Sequence, residues 1–178
     1  VELDNGEPGQ PDSPLQVHLG QVLSRGELMD WAIQKATELG VAEITPLFSE
    51  RCEVRLNDDR AQKRLEHWRQ VAISACEQCG RSSVPQIHPP VAVSQWQNAV
   101  EADLKLVLHP GVEPLASHDR PLRLAMLIGP EGGLSEAEVA AAQAAGFHAA
   151  CFGPRVLRTE TAPVVALSLT QFLWGDLV

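Results

Sequence analysis

Leu122 to Ile128 reads LRLAMLI, a nearly unbroken apolar run. It stops at Gly129-Pro130-Glu131-Gly132-Gly133 and gives way to an Ala-rich stretch. A strand that is apolar at consecutive positions has to be buried on both faces, which marks an inner strand of a parallel sheet. Leu104 to Leu108 has the same character. Around these two runs, strand-like and helix-like segments alternate. Strands are predicted at 16–23, 43–48, 84–87, 104–108, 122–128 and 148–152, and helices at 27–39, 60–79, 94–100, 135–145 and 159–174. The helix at 60–79 is the best defined, because Leu65, Trp68, Ala72, Ala75 and Cys79 form one stripe that ends at Gly80. Alternation of this kind predicts an α/β domain with a mostly parallel sheet flanked by helices, spanning residues 15–178. Residues 1–14 hold acids, Pro and Gly and read as a flexible acidic tail or linker.

Ligands of parallel α/β sheets sit beyond the carboxyl ends of the strands. Three turns fall there late in the chain: His109-Pro110-Gly111, Gly129-Pro130-Glu131-Gly132-Gly133 and Gly153-Pro154-Arg155. The second follows the apolar run, and Ser135 with Glu138 spells a capping box for the helix after it. Its glycines let a ligand approach the backbone. It lacks the Gly-Lys-Ser/Thr of a phosphate-binding loop and the Gly-x-Gly-x-x-Gly of a dinucleotide fold. The third turn leads into Arg155-Val156-Leu157-Arg158-Thr159-Glu160. Thr159 suits a helix cap and Glu160 suits the helix dipole. Cations are unfavourable at that end of a helix, so Arg155 and Arg158 are candidates for anion or carbonyl recognition. Arg81, after Gly80, complements a helix C-terminus or belongs to the site.

Fourteen Lys and Arg against 23 Asp and Glu leave a net charge of −9, which disfavours nucleic-acid affinity from overall charge. Between Arg60 and Arg81 the local balance is positive and reads either as an RNA-facing patch or as a solvated helix face. No apolar run reaches the ~18 residues of a membrane span. The first residues lack a leader's basic and apolar regions, so a cytoplasmic protein is expected. The chain starts at Val1, without an initiator Met, and is read as a fragment or processed product. Cys76 and Cys79 spell C-x-x-C, but neither Cys52 nor Cys151 has the close partner a zinc ribbon needs, so the cysteines are read as small core residues. The six histidines show no metal-ligand spacing, and no metal is expected; His109, at the end of a buried strand, either lines a pocket or has no role in a site.

Four segments carry a resemblance. Met29-Asp30-Trp31-Ala32-Ile33-Gln34-Lys35-Ala36-Thr37-Glu38-Leu39-Gly40, Glu77-Gln78-Cys79-Gly80-Arg81, the turn at 129–133, and Gly153 to Ala162 resemble the RsmE family, the ribosomal RNA small subunit methyltransferases E of the SPOUT superfamily. The resemblance implies a C-terminal deep trefoil knot and S-adenosylmethionine held by the three late loops. It implies methylation of N3 of a uridine in 16S rRNA of the small ribosomal subunit, and a homodimer. Carried over by position, Leu108, His109, Ile128, Gly129, Pro130, Gly132, Phe152, Gly153, Leu157 and Thr159 bind the cofactor. Arg158, Arg155, Arg81 and Glu160 are the catalytic candidates. The family's N-terminal PUA-like barrel has no room in this chain, which implies cofactor binding with reduced RNA affinity. Two other classes are open from the residues alone: a noncatalytic RNA- or cofactor-binding module, and a Rossmann-like small-molecule enzyme.

Overall fold

In the computed structural model, which describes residues 11–112 and 119–177, the LRLAMLI run forms an inner strand. This strand, β6 (Arg123–Ile128), lies between β1 (Gln16–Val22) and β5 (Leu104–Leu108). Leu124, Ala125, Met126 and Leu127 are fully buried, so both of its faces are covered. The other strands are β2 (Glu43–Phe48), β3 (Gln86–Ile87), β4 (Val91–Ala92) and β7 (His148–Ala150). Their order is β3-β2-β1-β6-β5-β7, with β4 also on β2. Every pairing is parallel. The sheet flanked by helices is therefore the fold expected.

The helices are α1 (Leu28–Glu38), α2 (Asp58–Cys79), α3 (Val93–Ala99), α4 (Glu136–Ala144) and α5 (Thr161–Trp174). One helical group is α1 packed on α2 and α5; the other is α3 packed on α4. Trp96 of α3 lies so close over β1 that a Cβ on Gly20 would stand 2.6 Å from its ring, so only glycine fits there. α2 starts two residues before the predicted 60, because the Asn57 side chain accepts from Arg60 N and caps it. The Ser135–Glu138 capping box is present on α4. α5 begins at Thr161 rather than 159, and no side chain caps it. Thr159 is used elsewhere, as described below.

Residues 12 and 13 pack on the domain. Ser13 is buried and donates to Gln171 Oε1 (2.6 Å), and the Asp12 carboxylate meets Arg81 and Ser83. The tail expected at 1–14 therefore gives up these two residues, and 1–10 lie outside the described residues. Where the chain returns from β7 to α5 it crosses the ends of β6 and β1, since Thr159 bonds to both Gly129 and Gln21. The expected knot depends on how this return passes the segment between β5 and β6, of which 113–118 lie outside the described residues. Among the described residues no helix is long and apolar enough to cross a membrane.

Candidate active site

The strand order places the site. β6, β5 and β7 are neighbours and parallel, so the turns that leave them emerge side by side, although they are far apart in sequence. They enclose a cavity of about 570 Å³. Its apolar lining includes Leu108, Ile128, Leu134, Phe152 and Leu157, and His109, Pro130, Gly129 and Gly132 complete the predicted cofactor edge. Gly153 does not line the cavity; it makes the preceding turn, with φ +91°.

The glycine turn is held from four directions. Thr159, buried at 5% exposure, donates to Gly129 O (2.8 Å). Arg25 N donates to Glu131 Oε1 (3.2 Å), and Arg51 Nη1 donates to Gly132 O (3.1 Å) and Leu134 O (3.4 Å). The Glu138 carboxylate takes Glu50 N (2.8 Å) as well as its own capping bond from Ser135 N (2.9 Å). A Cβ at Gly129 would lie 3.0 Å from Leu134 N and 3.1 Å from the Leu134 side chain, so any larger residue presses on the turn's own backbone. On the far side, Cys151 Sγ donates to Val112 O (3.1 Å) and ties the turn after β7 to the one after β5.

Arg155, Arg158 and Glu160, three of the four catalytic candidates, line the cavity, and the two guanidinium groups have no ion pair among the described residues. Thr159 lines it as well. Arg81 does not. Its Nη1 donates to Thr37 O and Val41 O, both at 2.9 Å, and its other nitrogen meets Asp12. The guanidinium therefore satisfies carbonyls at the end of α1 rather than the end of its own helix, and the structure does not bring it to the other candidates.

Residues 11–171 match the model of a family described as an RNA methyltransferase domain. Ribosomal RNA small subunit methyltransferase E of Buchnera aphidicola (Schizaphis graminum) is 42% identical over 171 residues, covering 93% of this chain and 69% of that protein. The enzyme of that name from Bacillus subtilis is 34% identical, covering 92% of this chain and 70% of that one. The chain belongs to the ribosomal RNA small subunit methyltransferase E family. Among solved structures, the family member from Neisseria gonorrhoeae, bound to S-adenosyl methionine, superposes with a TM-score of 0.88 at 41% identity and covers 94% of this chain and 70% of that one. A putative methyltransferase from Legionella pneumophila in complex with its cofactor SAM gives 0.89 at 44%, covering 93% and 69%.

Family membership does not by itself show which residues of this chain meet in space. Glu131, within the turn marked in the sequence, lines the cavity; Arg51 lines it too and Gln21 lies behind it, and neither of these two is legible as a site residue in the sequence. Gln21 is 1% exposed; its Nε2 donates to Thr159 Oγ1 (3.1 Å) and Val22 O (3.2 Å). Arg51 follows β2 at the same carboxyl edge as the three late turns, a position that only the strand order reveals.

His18 on β1, Glu43 on β2 and His88 just after β3 form a second constellation, invisible to sequence spacing. His88 Nε2 is 2.7 Å from Glu43 Oε2, and the two imidazoles stack at 5.3 Å. Trp96 Nε1 can only donate, and it does so to His18 Nε2 (3.2 Å). The proton of neutral His18 is therefore on Nδ1, facing Glu43 at 3.8 Å. His18 Nε2 also meets Thr45 Oγ1 (2.8 Å), and the half-buried ring acts as a polar strut between strands. Cys76 and Cys79 are free thiols on the last turn of α2; Cys76 is buried, and burial pushes its thiol pKa up.

Proposed function

We propose that this chain methylates small-subunit ribosomal RNA at N3 of a uridine, with S-adenosylmethionine as donor. One observation carries the reading: three neighbouring parallel strands deliver Arg155, Arg158 and a glycine-built backbone edge to a single apolar cavity. The residues fit the donor. An adenosyl group suits apolar walls with exposed peptide edges, and the donor's positive sulfonium suits the carboxylates of Glu131 and Glu160 on the same lining. When bound, the donor supplies an electrophilic sulfonium methyl.

The protein's task is then alignment and charge stabilisation. Uracil N3 becomes nucleophilic only as it loses its proton, and negative charge spreads onto O2 and O4. In this reading Arg158 and Arg155, whose exposed guanidinium groups line the cavity, stabilise that charge as hydrogen-bond donors. Glu160, at the head of α5, is the proton acceptor in this reading. Arg51, Thr159 and Glu131 hold the glycine turn in the shape that aligns the reactants. A base inside a stacked strand cannot reach this depth, so the uridine leaves its stack.

The same reading makes the protein a homodimer of the cytoplasm. The outward side of α5 exposes Leu169, Phe172 and Leu173, with Leu177 just beyond it, an apolar face suited to a second copy. Sedimentation of wild type and of Phe172→Glu tests the dimer. Radiolabelled methyl transfer to undermethylated small subunits, followed by nucleoside analysis, tests the activity: label in 3-methyluridine is expected, and label in another nucleoside or none defeats the reading.

A further inference from the structure

A separate cleft lies along the same edge of the sheet, between α3 and α4 where β2 ends. It encloses about 410 Å³, and Phe48, Val93, Ala137 and Ala141 supply apolar lining. Ser49 and Gln97 also line it, and Ser49 Oγ and Gln97 Oε1 are buried without a hydrogen-bond partner. The two residues are 7% and 3% exposed. Buried polar atoms in folded proteins are nearly always paired. Gln21 Oε1 is the one other such atom among the described residues, so two of the three belong to residues on the wall of this cleft. Glu138 on its wall is already committed, its two oxygens each taking a backbone N–H.

The cleft is connected to the cofactor cavity. An intervening cavity of about 560 Å³ shares Arg51, Glu131 and Gly132 with the cofactor side and Glu50 with the cleft. Arg25, Arg51 and Arg55 line it, with Glu50, Glu53 and Glu131 among them. Arg25 pairs with Glu53 and Arg51 holds the glycine turn, while Arg55 has no ion pair among the described residues.

We propose that the α3–α4 cleft is a nucleobase subsite, which takes an unstacked base of the same RNA strand whose target uridine enters the cofactor cavity. This rests on the methyltransferase reading above. The chemistry matches the ligand. Single-stranded RNA is recognised by hydrogen bonds to base edges and by apolar or aromatic contact with base faces. Rotation of the Gln97 amide and the Ser49 hydroxyl toward the cleft gives a base edge the two polar partners these atoms lack, and the apolar wall covers the base. Arg55 and the cavity between are positioned for the connecting phosphates.

The test compares wild type with Gln97→Leu, Ser49→Ala and Ala137→Leu in steady-state methyl transfer to small subunits, with S-adenosylmethionine affinity by calorimetry. Ala137 is exposed, so its larger replacement fills the cleft without removing a polar group or disturbing the core. Gln97→Leu and Ala137→Leu are expected to raise KM for the RNA about tenfold, and Ser49→Ala by less, with kcat and donor affinity unchanged. Substrates carrying single abasic nucleotides near the target locate the base: the Gln97→Leu penalty is expected to vanish for one abasic position. Unchanged KM, a fall in donor affinity, or a penalty that survives removal of every nearby base overturns the subsite and leaves the cleft to water. If wild type transfers no methyl to the RNA, the cofactor-cavity reading falls and takes the subsite with it.

Discussion

Gln21 Nε2 donates to Thr159 Oγ1 across 3.1 Å, joining the first strand of the sheet to the segment that enters its last helix, 138 residues later. Thr159 passes the interaction on by donating to Gly129 O. A buried glutamine in an inner strand thus sets the height at which the chain returning from β7 crosses the glycine turn.

Thr159→Val keeps the shape and removes both roles of the hydroxyl. Gly129 O and Gln21 Nε2 then lose a partner in a buried setting, at a cost of roughly 1–3 kcal/mol. Urea denaturation is expected to show that loss, and calorimetry a weaker S-adenosylmethionine affinity. Gln21→Leu is expected to be milder in stability, because it also deletes the orphaned Gln21 Oε1.

Arg158→Ala and Arg155→Ala separate chemistry from binding. Neither guanidinium has an ion pair among the described residues, so stability is expected to hold. Turnover on small subunits is expected to fall by about 10²-fold for Arg158→Ala, within the range for removing a charge-stabilising donor, while donor affinity stays near wild type. Arg81→Ala is expected to do the reverse. Thermal melting falls as the carbonyls of Thr37 and Val41 lose their donor, and the turnover of folded enzyme is retained.

Gly129→Ala places a methyl 3.0 Å from Leu134 N. Backbone gives way less readily than a flexible side chain, so a cost of about 1–3 kcal/mol is expected from overpacking. The turn shifts with it, and calorimetric titration is expected to show donor binding reduced more than stability.

His18 makes the fold acid-sensitive. Its pKa is lowered from 6.5 to about 4; burial is the largest cause, Glu43 pulls the other way, and His88 adds to the lowering. The unfolded chain takes up this proton near pH 6.5, but the native state resists it down to about 4. Unfolded protein therefore binds more protons in that window, and stability falls as pH drops through it, by on the order of 3 kcal/mol. Above pH 6.5 the group contributes no slope. Denaturant midpoints measured from pH 7 to pH 4.5 are expected to drop for wild type and to drop less for His18→Gln; parallel curves would refute the assignment.

Much of the fold was legible, because burial on both faces leaves an unambiguous mark. The runs at 104–108 and 122–128 are inner strands, and the stripe through Leu65, Trp68 and Ala72 is the buried side of α2. β4 went unpredicted because two residues after Pro89-Pro90 carry no period. The three late turns could be marked as one site because each follows a recognisable strand. Gln21 and Arg51 could not, since their part depends on β1 lying beside β6 and β2 beside β1, and strand order is not written in local periodicity. Arg81 misled for a related reason: an arginine past a helix end looks the same whether it serves that helix, a neighbouring one or a ligand.

The central place of β6 has a further consequence for how the molecule is made. Gln16 pairs with Arg123, and Gln21 with Ile128, so the two halves of the sheet stay unjoined until the sixth of seven strands has left the ribosome. Such distant pairings fold slowly and leave unpaired edges exposed while synthesis continues. The donor cavity, whose walls include residues beyond β7, thus takes shape only after the seventh strand has emerged, and a product that stops before Arg155 lacks part of its wall.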